Sequence, residues 1–250
     1  MITLFRRIRQ KLIDSGSVSK YLLYAIGEIL LVVVGILIAL QVNNWNEMRQ
    51  MNSEEIRILN ILKTDLERAV AQGAEYLRLD SISVNPLKTF MVETDWESRL
   101  NRVGNADSLI TLSVFSVENE APVIQVREDL ENSGSGNIIS SQAIRNKLVE
   151  LDNKLELLKF QIADKMTVQQ NRVDEVLFKY FNLQKMVKER VTIEPLEDEW
   201  EPDLYKVLAD REAANILSLK LMISENVFDS RRELQETLKE LIVLIEREID

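Results

Sequence analysis

The chain has no cysteine and no histidine, and its 250 residues include only seven glycines and four prolines. The missing cysteines exclude disulfides and thiolate nucleophiles, and the missing histidines exclude Ser-His-Asp and Cys-His machinery. Together the two absences exclude metal sites built from imidazole and thiolate ligands. So few turn-forming residues also argue against a many-stranded β fold, whose hairpins require them. What the chain does have is 46% hydrophobic and 29% charged residues, too apolar a mixture for a disordered polymer.

The apolar residues are unevenly spread. From Leu22 to Val42 the sequence reads LLYAIGEILLVVVGILIALQV, in which only Glu28 and Gln41 are strongly polar. At helical rise that run is about 31 Å long, the thickness of a bilayer's hydrocarbon core. Tyr21 and Tyr24 flank one end and Trp45 the other, where amphipathic rings settle at headgroup level. A buried core helix seldom runs so long without a charge on its far half. A cleaved signal peptide would be shorter and would end in small residues. The expected element is therefore an uncleaved signal-anchor transmembrane helix over residues 19–46.

Residues 1–18 form a basic segment ahead of it. Arg6, Arg7, Arg9, Lys11 and Lys20 stand against Asp14 alone, so the positive-inside bias keeps this side in the cytoplasm and sends residues 47–250 across. Ile2, Phe5, Ile8 and Leu12 recur at helical spacing among those cations, the pattern of an amphipathic helix on the inner leaflet. It serves either as a topology signal and anchor or as a lipid or partner contact. With +3 on residues 1–40 and −10 on the whole chain, residues 41–250 carry −13. So acidic a domain is not expected to bind nucleic acid or an anionic lipid surface.

The run SKYLLYAIGEILLVVVGILIALQVNNWNE (Ser19 to Glu47), after FRRIRQKL (Phe5 to Leu12), resembles a family of uncharacterised bacterial single-pass membrane proteins. This is the domain-of-unknown-function family 6090, found mostly in Bacteroidota. A second patch, EDLENSG (Glu128 to Gly134) followed by AIRNKLVEL (Ala143 to Leu151), is similar to that family's mid-chain turn and the start of its long helix. The resemblance implies a bacterial inner-membrane protein with a helical periplasmic part. It carries over no activity and no catalytic residue.

Beyond the span, long stretches free of glycine and proline alternate with short interrupted ones, and the long stretches predict helices. The first covers about Glu47 to Leu79, with a stripe of Leu59, Leu62, Leu66, Ala69, Gly73 and Tyr76. The second covers Ser141 to about Arg190, through Leu148, Leu151, Leu155, Leu158 and Ile162. Its stripe then drifts to Met166, Val173, Leu177 and Tyr180. The third covers Leu204 to Ile249, through Leu217, Leu234, Leu238, Leu241 and Ile245. Three helices with one apolar face each must bury those faces together, so the expected fold is all-α. It comprises an N-terminal amphipathic helix, one transmembrane helix and an elongated antiparallel helical bundle over residues 47–250. In residues 80–140, Ile110, Leu112, Val114 and Val117 nearly alternate like a strand, yet Asp107-Ser108 could cap a helix. Short helices and loops are expected there.

The candidate site residues are few. Glu28 lies about 9 Å into the span, where an ionisable group is costly and by default a functional hypothesis. It shares a helix face with Gly35 and Ala39, whose small-xxx-small spacing lets another helix approach closely. This face predicts a protein partner or a homo-oligomer, against the plainer reading of a Glu amid ordinary apolar packing. The acidic run from Glu197 to Asp203 lacks the ladder of a calcium loop and reads as a solvated connection. Trp96, Trp200, Phe178 and Phe181 could anchor a partner or fill the core. No catalytic residue, cofactor or metal is expected. The expected function is a non-catalytic periplasmic interaction or scaffold module. A sensor signalling through a partner's membrane helix is the alternative, and a carboxylate-based hydrolase stands third.

Overall fold

The computed structural model describes residues 18–125, 138–183 and 203–249, without the side chains of 18–21 and Tyr24. The basic segment with Arg6, Arg7, Arg9 and Lys11, the patch from Glu128 to Gly134, and Trp200 in the acidic run lie outside the described residues. Every described element is helical, as the composition predicts. Residues 1–57 and 58–250 form two compact units.

Helix α1 (Val18–Val92) supplies the described part of the first unit and enters the second. Among the described residues it is the one helix of the first unit, and its Leu, Ile and Val side chains from Leu22 to Val42 are all more than two-fifths exposed. One stretch of it is long and apolar enough to cross a membrane. Farther on, polar i,i+3 pairs such as Glu54 with Arg57 and Glu75 with Arg78 replace the apolar surface.

The expected end of this helix near Leu79 is corrected: α1 runs through both Gly73 and Pro86. Gly73 is buried at a close helix crossing, where a Cβ would run into Oε1 of Gln235. Its role is approach, not termination. A proline inside a helix costs about 3 kcal/mol. Packing of Val84, Leu87 and Phe90 on either side of Pro86, all at most 5% exposed, outweighs that cost.

The second unit continues with α2 (Trp96–Leu100), α3 (Ala106–Phe115) and α4 (Gln142–Val168). A π-helical turn (Gln169–Val173) then leads into α5 (Asp174–Tyr180), followed by α6 (Leu204–Ala209) and α7 (Arg211–Ile249). Residues 110–117 are no strand. Ile110 and Val114, one turn apart, are buried on α3, and Asn105 rather than Asp107 or Ser108 caps it, accepting the Ser108 N–H at 2.9 Å. The second predicted helix is likewise subdivided. The π turn shifts the register where the apolar stripe drifts, so that Gln169, Val173 and Leu177 continue the buried line. Phe181 is already extended, and the predicted continuation to Arg190 passes out of the described residues. The third is broken at Asp210, whose Oδ1 accepts the N–H groups of Glu212 and Ala213 and so caps α7.

Ion pairs fix the directions of the long helices. Lys63 meets Glu246 at 2.7 Å and Lys88 meets Glu225 at 2.8 Å, so α1 and α7 are antiparallel. Lys147 meets Glu240 at 2.7 Å while Lys220, near the other end of α7, bonds Gln169, so α4 and α7 are also antiparallel. It follows that α1 and α4 run parallel. The chain between them returns along the bundle by a crossover through α2, α3 and the strap of residues 116–124.

Two apolar clusters hold this unit. The first joins Leu59, Leu62 and Leu66 of α1 to Leu151 and Leu158 of α4 and to Leu238 and Leu241 of α7, all fully buried. The second gathers Phe90, Trp96, Ile110, Leu177 and Leu217 around the short helices. Between them lies a layer that is polar.

Candidate functional site

The backbone brings Glu28, Gly35 and Ala39 onto one face of α1, as the spacing predicts. Gly35 and Ala39 are exposed and Glu28 is partly covered. A Cβ at Gly35 would meet nothing within 4 Å. Lys20, Tyr21 and Tyr24 fall on helical backbone. Trp45 is 61% exposed, with the Arg49 guanidinium 6.0 Å from its ring centroid. Of the aromatic anchor candidates, Trp96 and Phe181 are core residues, 4% and 3% exposed. Trp96 meets Phe90 edge to face at 5.1 Å. Phe178 remains on the surface at 74% exposure.

The more unusual chemistry lies where the sequence reading placed nothing. Asp80 on α1, Lys165 on α4 and Arg231 on α7 meet inside the second unit, each at most 4% exposed. Lys165 Nζ is 3.4 Å from Asp80 Oδ1, and Arg231 Nε is 2.8 Å from Asp80 Oδ2. The arginine contact is close but not aligned as a hydrogen bond, and Nη1 and Nη2 of Arg231 are buried without a hydrogen-bond partner. The ring of Tyr76 lies 4.9 Å from the guanidinium carbon, giving the charge an aromatic face.

One layer further, Lys220 of α7 is 4% exposed. It donates to Gln169 Oε1 at 2.5 Å and to the carbonyl of Ser116 at 3.2 Å. Gln169 in turn donates to the carbonyl of Val114 and to Asp174. The π turn therefore presents a polar side chain inward where a regular helix would have carried its stripe past.

Burial dominates the titration of these groups. It pushes Lys220 down to about 7, with Lys165 adding repulsion and Asp174 opposing. It also pulls Lys165 below its ordinary range, and Asp80 offsets this in part. Arg231 is lowered for the same reason, while Asp80 and Glu118 oppose the shift; an arginine nonetheless stays charged.

The strap over the layer is tied at several points. Ser116 receives Lys220, Tyr76 donates to Glu120 Oε2 at 2.9 Å, and the Val123 N–H reaches Gln72 Oε1 at 3.4 Å. Ile124, at 4% exposure, enters the first apolar cluster. Half-buried Glu118 acts on Lys165, Arg231 and Tyr76 through its charge.

A signal for this layer was present in the sequence. Lys165, Lys220 and Arg231 follow Ile162, Leu217 and Val227 by three or four residues, on the buried faces of their helices. A charge in an apolar stripe reads most simply as a helix edge, and only the pairing across three helices identifies it as interior. Among the described residues no group of three or more acidic side chains converges as a metal site.

Residues 28–100 match the sequence profile of a family of unknown function, DUF6090. The match takes in Glu28 to Glu47 of the N-terminal resemblance and extends through the rest of α1 and all of α2, whereas the patch at 128–151 lies outside it. It therefore contains Glu28, Gly35, Ala39, Tyr76 and Asp80. No curated protein and no solved structure matches the chain.

Proposed function

We propose that the protein is a membrane-anchored interaction module, with α1 in the inner membrane of a bacterium, the N-terminus in the cytoplasm and the second unit in the periplasm. The observation that carries this reading is the contrast between the two units. The second buries its own core, whereas the apolar stretch of the first is bare on every side and needs lipid or another helix around it. The face of Glu28, Gly35 and Ala39 is where a partner helix, or a second copy, would pack, because small residues let backbones approach and a carboxyl group seeks a polar contact in hydrocarbon. The role assigned is non-catalytic, resting on a sequence without His or Cys and without a catalytic motif.

A photo-activatable cross-linker at Gly35, in the full chain in native membranes, tests this. The expected outcome is one defined adduct that disappears in Glu28→Leu; an adduct indifferent to that change would remove the intramembrane face from the proposal. Because the chain has no cysteine, single-Cys variants test topology directly. An impermeant maleimide should label Asn153→Cys from the periplasmic side and leave Ser15→Cys untouched. The second reading, a sensor, is favoured by the buried charged layer: ionic groups that cost stability are often kept for a switching role.

A further inference from the structure

The layer of Asp80, Lys165, Lys220 and Arg231 is out of charge balance. Its side chains include one carboxylate and three bases, all of them at most 4% exposed. Lys220 can shed its proton; Arg231 cannot. Its two terminal nitrogens present a planar fork of N–H donors, the geometry that matches two oxygens of a carboxylate or phosphate, and neither has a partner. Asp80 approaches the guanidinium at Nε, at 2.8 Å, and is shared with Lys165. The other counter-charges that act on Arg231 are Glu118 and Glu120, both on the strap rather than on a bundle helix, and Lys220 has Asp174. Glu118 and Asp174 are half-buried and Glu120 is exposed, so each compensates a buried cation weakly.

We infer that the fork of Arg231, with Lys165 beside it, is a binding site for a small oxyanion, a carboxylate, phosphate or sulfate group, which enters beneath the 116–124 strap in exchange for Glu118. A water molecule could bond one N–H but would add no charge to the one carboxylate that Arg231 and Lys165 share; an anion does both. Tyr76, whose ring covers the guanidinium while its hydroxyl holds Glu120, ties the state of the site to the seating of the strap. The site lies wholly within the second unit and is independent of whether the membrane helix binds a partner.

The test uses the full-length chain in nanodiscs of neutral phosphatidylcholine, following helix melting as inorganic phosphate replaces chloride at constant ionic strength and pH. Phosphate should raise the wild-type midpoint along a saturable curve. Glu118→Gln removes the internal competitor, so its midpoint without phosphate falls, phosphate restores it, and half-saturation moves to about tenfold lower concentration. Arg231→Gln should lose the saturable response. If that variant does not fold, the comparison of wild type with Glu118→Gln decides alone. Nanodiscs containing phosphatidylglycerol separate the sources: a lipid headgroup in the site would raise the midpoint without phosphate and abolish the phosphate response, and a soluble anion would leave both unchanged. A linear, unsaturable shift that is equal in wild type and Glu118→Gln, or no shift, overturns the inference.

Discussion

Lys220 carries an ammonium group into the second unit with no carboxylate in contact, held by the amide oxygen of Gln169 and one backbone carbonyl. Neutral acceptors repay less desolvation than a counter-ion, which is why its proton is held only up to a pH of about 7. Below that pH both folded and unfolded states hold the proton. Between about 7 and the ordinary value of 10.5 the unfolded state holds it and the folded state does not, so stability rises with pH through that window. Urea denaturation of the full chain from pH 7 to pH 10 should show the rise, and Lys220→Met should flatten it. Lys165, lowered in the same direction by burial, contributes a slope of the same sign. An identical slope in Lys220→Met would rule out this residue as the source.

Among the helices, the ionic layer links α1, α4 and α7 at one level. Removing a single member leaves the others buried and uncompensated, so Asp80→Ala should cost about 3–5 kcal/mol. Replacing all three by apolar residues of similar size (Asp80→Leu, Lys165→Met, Arg231→Met) should cost much less or stabilise, since three desolvation penalties vanish together. Urea melting measures both, free of the screening that guanidinium would bring. A triple variant as unstable as Asp80→Ala would mean the layer holds the helices by more than charge. The irregularities nearby have local causes: the π turn aims Gln169 inward, Asp210 caps α7, and Gly73 admits Gln235.

Over the second unit as a whole, α7 passes through both apolar clusters, contributing Leu217 to one and Leu238 and Leu241 to the other. The strap adds a further tie, since it leaves α3 in the second cluster and buries Ile124 in the first. The two clusters should therefore melt together. Leu66→Ala and Leu217→Ala, both at fully buried positions, should each cost about 2–5 kcal/mol and lower the same transition, with nearly additive effects because they lie in different clusters. Two separated transitions in either variant would show that the charged layer divides the unit into independent halves.

The apolar run at Leu22–Val42, the stripes of α1, α4 and α7, and the all-helical fold were legible in the sequence, because each depends on local composition and on the 3.6-residue period. The shared face of Glu28, Gly35 and Ala39 was legible for the same reason. Where α1 ends was not: Pro86 and Gly73 are breakers by local rules, and their tolerance comes from packing partners distant in the chain. Nor did spacing alone distinguish Trp96 in the core from Phe178 on the surface. The parallel course of α1 and α4, and the convergence of Asp80, Lys165 and Arg231, were decided by tertiary structure alone. Periodicity tells which face of a helix is buried, but which charges share that interior depends on how helices far apart in sequence align, and no local pattern encodes that alignment.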